Sequence, residues 1–357
     1  MNRAMGIVVT SLALWSWSGW AFPHDLKILP SQWSVYQGAF PDLSAIPGAS
    51  EIAYKVGNFE SETAKKMAFV MFANDWVDGP YFPWDGVDGV SQVGKVPYIR
   101  ILPRSTRAQY TGSDYYYSMD RFLAGYYDNV LRQWARSARA TASPLFVEWA
   151  PEMNGRWYQW NGLWSGGGYT FGFGNPNLAD GPEKYRAVYQ RVVTIFNQEG
   201  ATNVTWVFHV NWENNPREYW NTMAAYYPGD QFVDWLGISV FGAQYAYEYY
   251  DSFTNVFDAA YGEFSALSAT KPMMVAEFGV VEQPGDPNGK AQWLTNALQS
   301  IVEERYPRVK GISYWNESSW TIPQNNNLRI DSSPQAVNAY ATGIHNDVFV
   351  SDLEVNW

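Results

Sequence analysis

Eight short apolar runs, each of strand length, recur along this chain and limit what it can fold into. They occupy positions 34–38, 67–72, 96–102, 145–150, 204–210, 235–240, 273–276 and 311–315. Several are apolar almost throughout, the pattern of strands covered on both faces rather than of strands with one wet side. Between the runs the spacing becomes helical. Phe122, Tyr126, Val130, Trp134 and Ala138 recur at one-turn intervals through 122–139. Tyr185, Val188, Tyr189, Val192 and Phe196 do the same, as do Leu294, Leu298, Ile301 and Val302. Strands alternating with helices predict a parallel α/β domain, and eight such units predict a (β/α)8 TIM barrel. An open doubly wound sheet is the alternative, but no Gly-rich phosphate loop follows the first run.

A barrel of this kind presents its working groups at the C-terminal ends of its strands. Two carboxylates fall there. Glu152, in Trp149-Ala150-Pro151-Glu152-Met153-Asn154-Gly155, ends the fourth run, and Glu277, in Met274-Val275-Ala276-Glu277-Phe278-Gly279, ends the seventh. Opposed carboxyl groups suit glycosidic bond cleavage: one protonates the leaving oxygen while the other attacks or activates water. In a retaining scheme Glu277 is the ionised nucleophile and Glu152 carries the proton as acid/base. Aromatic rings are dense, with 19 Trp, 25 Tyr and 19 Phe among 357 residues. An indole covers the apolar face of a sugar while its N–H still finds a polar partner. Trp157 and Trp160 follow Glu152 in a loop opened by Gly155, and that closeness reads as sugar stacking. The Gly-rich stretch 165–174 lacks the Lys-Ser/Thr ending of a nucleotide loop. It reads as a long loop at the barrel mouth.

Charge and composition remove other classes of function. A formal net charge of −11 disfavours nucleic acid or an anionic membrane surface as partner, since both attract basic patches. The chain has no cysteine, hence no disulfide. His24, His209 and His345 are far apart and show no metal-ligand spacing, so neither a metal nor another cofactor is expected. Residues 1–21 read as a secretory signal, with Arg3 as the positive start, an apolar stretch over 4–17 and Gly19-Trp20-Ala21 at the cleavage position. The stretch is shorter than the ~20 residues a membrane span needs. The expectation is an exported, periplasmic or secreted protein, monomeric, with residues 22–357 as a single catalytic domain and a polysaccharide as its partner.

The motifs resemble one family. Gly125-Tyr126-Tyr127-Asp128, then Pro144-Leu145-Phe146, then Glu152-Met153-Asn154-Gly155-Arg156-Trp157-Tyr158-Gln159-Trp160 is similar to the fourth-strand region of glycoside hydrolase family 26. Asn203 through Asn211 resembles its fifth strand, and Tyr227-Pro228-Gly229-Asp230 with Val233 through Ile238 its sixth. Lys271-Pro272 through Gly279 resembles its nucleophile strand, and Tyr314-Trp315-Asn316 its eighth. The resemblance implies a (β/α)8 barrel that hydrolyses β-linked polysaccharides with retention. It implies Glu152 as acid/base, Glu277 as nucleophile, Trp157 and Trp315 as rings lining the sugar subsites, and Asn211 as a polar group near the cleft. Trp320, after the eighth run, is an outer-subsite candidate.

Three positions depart from the family pattern. Pro151 replaces a His before the acid/base, Glu148 stands where an Arg is usual, and Phe241 replaces a Tyr that hydrogen-bonds the nucleophile. A buried Glu148 demands a cationic partner, and Arg100 on the third run is the candidate, also placed among the substrate-binding residues. Mannan is the first expected substrate. β-1,3/1,4-glucan or a bacterial exopolysaccharide comes next, and a carbohydrate-binding barrel without catalysis is the reading from another class.

Overall fold

The computed structural model describes residues 26–318 and 326–356. Eight parallel strands close on themselves: β1 (Val35–Phe40), β2 (Phe69–Asp75), β3 (Val96–Leu102), β4 (Leu145–Trp149), β5 (Val204–Asn211), β6 (Trp235–Phe241), β7 (Met273–Gly279) and β8 (Val309–Trp315). Each pairs with the next, and β8 returns to β1 from Tyr36↔Gly311 to Phe40↔Trp315. Every expected run overlaps one of these strands. The chain is a (β/α)8 barrel. Helices follow in turn: α1 (Ala49–Thr63), α2 (Trp84–Gln92), α3 (Asp128–Ala140), α4 (Asp180–Gln198), a single turn α5 (Met223–Tyr226), α6 (Phe253–Ala266), α7 (Gly289–Val302) and α8 (Pro334–Ile344).

The lower half of the barrel is filled by rings. Phe69 lies 5.7 Å from Tyr98 and 5.6 Å from Phe146, and the Trp235 indole meets Phe146 edge-on at 5.7 Å. All are buried. A short strand at Ile28–Leu29 pairs antiparallel with Glu354–Val355 beneath this layer. Its backbone holds two strand starts, through Ile28 N–H to Thr205 Oγ1 at 2.8 Å and Trp235 Nε1–H to the Ile28 carbonyl at 3.0 Å. With its floor packed and tied, the barrel leaves polar chemistry to its upper half.

The helical stripe of α4 is buried as its spacing predicts, through Tyr185, Val188, Tyr189, Val192 and Phe196. The stripe expected over 122–139 is not one helix. A short helix at Met119–Leu123 ends at Gly125, whose φ of 82° is left-handed, and α3 begins afresh at Asp128. Tyr126, expected inside, is therefore exposed, while Leu131, Trp134, Ala135 and Ala138 form the buried face. The Gly-rich stretch folds over the start of α4, with the Gly172 N–H donating to Asp180 Oδ2 at 2.8 Å. Among the described residues no helix is long and apolar enough to cross a membrane. The expected signal at 1–21 lies outside the described residues.

Candidate active site

Polar residues interrupt five consecutive apolar strands, and they meet inside the barrel. Arg100 on β3 and Glu148 on β4 stand side by side in register, and the Arg100 Nε–H donates to Glu148 Oε1 at 2.6 Å. The expected pair is thus formed. Glu148, wholly buried, also accepts from the Tyr98 hydroxyl at 2.8 Å, and its Oε2 lies 2.8 Å from Nδ1 of His209 on β5. The other imidazole nitrogen, Nε2, lies 2.8 Å from Oγ of Ser239 on β6. From β7, Oε1 of Glu277 comes to 2.7 Å from Arg100 Nη2, a contact of charges whose angle falls outside hydrogen-bond geometry. Arg100 therefore meets two carboxylates and is buried. Its Nε and Nη2 are turned to Glu148 and Glu277, a role beside its expected place among substrate-binding residues.

Glu277 reaches this position through an irregularity. Val275 pairs with Ile238, yet the next β6 residue, Ser239, pairs with Glu277, so Ala276 is an extra residue in the β7 ladder. The same shift shows against β8 between Val275↔Ile312 and Phe278↔Tyr314. The Ala276 Cβ lies 3.4 Å from where a Cβ on Gly237 would stand, which puts Ala276 on the inner face together with Glu277. Phe278 then turns outward to the helix layer, facing Phe253 and Trp293. A bulge of this kind re-aims the side chain that follows it.

Glu152 sits past the end of β4, in a turn rather than on the strand itself. Ala150 and Glu152 have φ of 46° and 53°, a conformation costly for residues with a Cβ and concentrated at functional sites. The turn lets the Ala150 N–H donate to Ile101 on β3 and the Glu152 N–H donate to His209 on β5. Pro151 between them needs no acceptor, having no N–H. The Glu152 carboxylate accepts from Asn211 Nδ2 and Trp157 Nε1, both at 3.0 Å. Trp157 can fold back this far because Gly155 has no side chain; a Cβ there would overlap the indole.

Other expected residues fall as follows. Asn211, for which the resemblance implies a place near the cleft, donates to Glu152 Oε1, and Asn154 locks β5 behind it by donating to the Asn211 carbonyl at 2.8 Å. Trp315 is partly buried at the rim, stacked on Phe40 at 4.3 Å with the Arg100 guanidinium 5.0 Å from its ring. Trp160 does not line a sugar site. It is buried, its Nε1–H is taken by the Pro151 carbonyl at 2.8 Å, and its face is covered by Tyr158 at 4.3 Å. Nearness in sequence to Glu152 made it look exposed, but it forms the packing under the loop. Trp320 lies outside the described residues. Sequence spacing missed His209, Tyr98 and Ser239. It also missed Glu317, which accepts from Trp315 Nε1 at 2.9 Å and so orients that ring.

The charges decide where protons sit. Burial would push Glu148 up, but His209 and Arg100 hold it below the usual carboxylate range. Burial opposes the charged form of His209, yet the Glu148 carboxylate raises it above its ordinary value. For Glu277 burial wins: the carboxyl is pushed up to about 8, with Arg100 opposing and the charge of Glu152 reinforcing. Glu277 was expected to be the ionised partner, whereas burial favours its protonated form in the unliganded site. Glu148, His209 and Glu277 have donor atoms within 4.8 Å of one another. The guanidinium of Arg100 already supplies the positive charge between two of them, so these residues do not fit a metal.

Arg100→Met leaves the buried Glu148 carboxylate without its cation and should cost ~3–5 kcal/mol, read by urea denaturation. Adding Glu148→Gln should recover part of that loss, leaving a coupling of at least ~1 kcal/mol; additive losses would show that the pair is not coupled. A second prediction concerns pH. Between 4.5, the ordinary carboxyl value, and about 8, native Glu277 keeps a proton that the unfolded chain has released. Its contribution to stability is present at low pH and lost as pH rises through that window. Glu277→Gln should therefore gain stability relative to the parent from pH 5 to pH 8, and a difference independent of pH would contradict the raised value.

A family model described as glycosyl hydrolase family 26 matches residues 112–278. Endoglucanase H of Acetivibrio thermocellus is 32% identical over 222 residues, which cover 61% of this chain and 22% of that protein. The chain thus spans about a fifth of that relative's length. Among solved structures, the catalytic domain of a Bacillus sp. JAMB-750 endo-β-1,4-mannanase superposes with a TM-score of 0.64 at 15% identity, covering 89% of this chain and 87% of that one. A β-mannanase from Bacteroides ovatus gives 0.60 at 13%, covering 89% and 90%. At such identities the likeness is one of fold. The matched segment contains both Glu152 and Glu277.

Proposed function

We propose that this protein is a retaining, endo-acting β-glycanase with Glu277 as nucleophile and Glu152 as acid/base. The observation that carries the reading is a pair of buried carboxyl groups at the ends of β4 and β7, the charge of one raising the other. In the first step the Glu277 carboxylate attacks the anomeric carbon while the Glu152 proton goes to the leaving oxygen. In the second, Glu152 takes a proton from water, whose oxygen displaces Glu277 from the sugar. Once Glu152 holds the proton its charge no longer raises Glu277, and Arg100 and His209 then favour the anion needed for attack. Trp157 and Asn211 occupy both oxygens of Glu152 and fix its direction. Trp315, held by Glu317 and Phe40, offers a ring at the rim for a sugar face.

Mannan is the substrate the resemblance puts first. The relative at 32% identity is named an endoglucanase and weighs more than mannanase structures at 13–15%, so a β-linked glucan moves ahead of it. Export through residues 1–21 belongs to the same proposal and is checked by sequencing the N-terminus of protein recovered outside the cytoplasm. Reducing-sugar release from mixed-linkage glucan, mannan, xylan and a bacterial exopolysaccharide tests the function, with proton NMR of the first-formed anomer for stereochemistry. Release from none of them, or an inverted first product, would sink the reading.

Glu277→Ala should lose at least ~10³-fold in kcat, and external azide should restore turnover as an inverted glycosyl azide. Parental activity in this variant would remove Glu277 from the mechanism. Glu152→Ala should slow unactivated glycosides ~10²–10⁴-fold and activated aryl glycosides far less, because an aryl oxide departs without a proton. Equal losses on both would count against Glu152 as the acid.

A further inference from the structure

Besides exposed Tyr110, the connection from β3 to α3 carries three further exposed tyrosines that the catalytic machinery does not use. Tyr115, Tyr116 and Tyr126 are 76%, 59% and 66% exposed, an unusual density of large rings in water. They are held in place. The Arg121 guanidinium lies between two of them, 4.9 Å from the Tyr115 ring and 4.8 Å from the Tyr126 ring, and Tyr116 meets Tyr115 edge-on at 5.4 Å. Beneath them, buried Asp114 accepts from the Ser105, Tyr116 and Tyr117 amides at 2.6, 2.8 and 3.1 Å. The Tyr127 hydroxyl donates to the Tyr116 carbonyl at 2.5 Å. Gly125, left-handed at φ 82°, brings Tyr126 back beside Arg121. One face of the Tyr115 and Tyr126 rings is occupied by the guanidinium, and the rest is open to solvent.

The same connection reaches the acid/base. The Tyr110 N–H donates to the Trp157 carbonyl at 3.0 Å, and Gln159 Nε2 donates to the Ala108 carbonyl and to Thr111 Oγ1, both at 3.0 Å. A rigid aromatic surface thus stands on the loop that is clamped to Glu152's own loop. Rings with an apolar face and a hydroxyl edge match a sugar, which has C–H faces and hydroxyl rims. Prior ordering by Asp114 and Arg121 removes part of the entropy cost of binding.

We propose that Tyr115, Tyr116 and Tyr126, locked by Arg121, form a second carbohydrate-binding platform that holds the polysaccharide chain outside the catalytic cleft. The inference rests on the reading above that the substrate is a β-linked glycan. The platform raises the local concentration of polymer at the cleft and adds nothing for short fragments.

The test uses the whole protein carrying Glu277→Gln, which leaves the polymer intact, in affinity gels containing mixed-linkage glucan, mannan or xylan. At least one polymer should retard it, and adding Tyr115→Ala and Tyr126→Ala should weaken the apparent Kd about tenfold. The ratio of polymer to tetrasaccharide affinity should fall by a similar factor. Unchanged retardation would overturn the platform, as would a tyrosine-dependent dimer in sedimentation without retardation. Should the double variant melt early, nitration of the unsubstituted protein answers the question: polymer should protect these tyrosines, and equal modification with and without it would overturn the proposal. Tyrosine-dependent retardation without turnover by the parent would refute the catalytic reading and keep the platform. Turnover without any retardation would do the reverse.

Discussion

The upper half of this barrel depends on one guanidinium. Arg100 lies between Glu148 and Glu277, 2.6 Å from one and 2.7 Å from the other, in a place that water does not reach. Two carboxylates alone would repel and would be expelled or neutralised. Arg100 offsets one of the two carboxyl groups it touches, and burial keeps a single proton on the other, Glu277. A double-displacement mechanism starts with that same number. The electrostatics of burial and the stoichiometry of the chemistry thus call for one and the same count of protons.

The departures from the family pattern belong to that arrangement. Glu148, where the family has an Arg, would be intolerable alone; beside Arg100 in register it moves the positive charge one strand over. Phe241 has no hydroxyl to offer Glu277, and the contact comes from Arg100 instead. Pro151 falls where the backbone passes from pairing with β3 to pairing with β5. These three changes are separate in sequence and adjacent in effect.

Much of the fold was legible because a doubly covered strand must be apolar over most of its length, and the runs on β1 to β8 are. The carboxylates Glu152 and Glu277 were legible for the converse reason, as charges where such runs end. Arg100 with Glu148 could be paired by asking where a buried anion finds a cation. His209 and Ser239 carried a weaker trace, a single polar letter within Val204–Asn211 and within Trp235–Phe241, whose meaning depends on inward parity. Trp160 failed because a loop folds upon itself, and distance along the chain says nothing of which ring covers which. The break before α3 was written in Gly125, yet a one-turn repeat continues through a glycine on paper even when the helix does not.

The extra residue at Ala276 has a consequence for how this site can vary. Alternation along a strand is strict, so an unbulged β7 that kept all its residues would send Glu277 outward among Phe253 and Trp293 and turn the ring of Phe278 into the barrel. The same letters would then spell a barrel with an inert mouth and a charge buried in its wall. Deleting Ala276 would instead leave a regular ladder with Glu277 still opposite Ser239 and facing inward, so the site depends on where the extra residue is absorbed and not on the alanine itself.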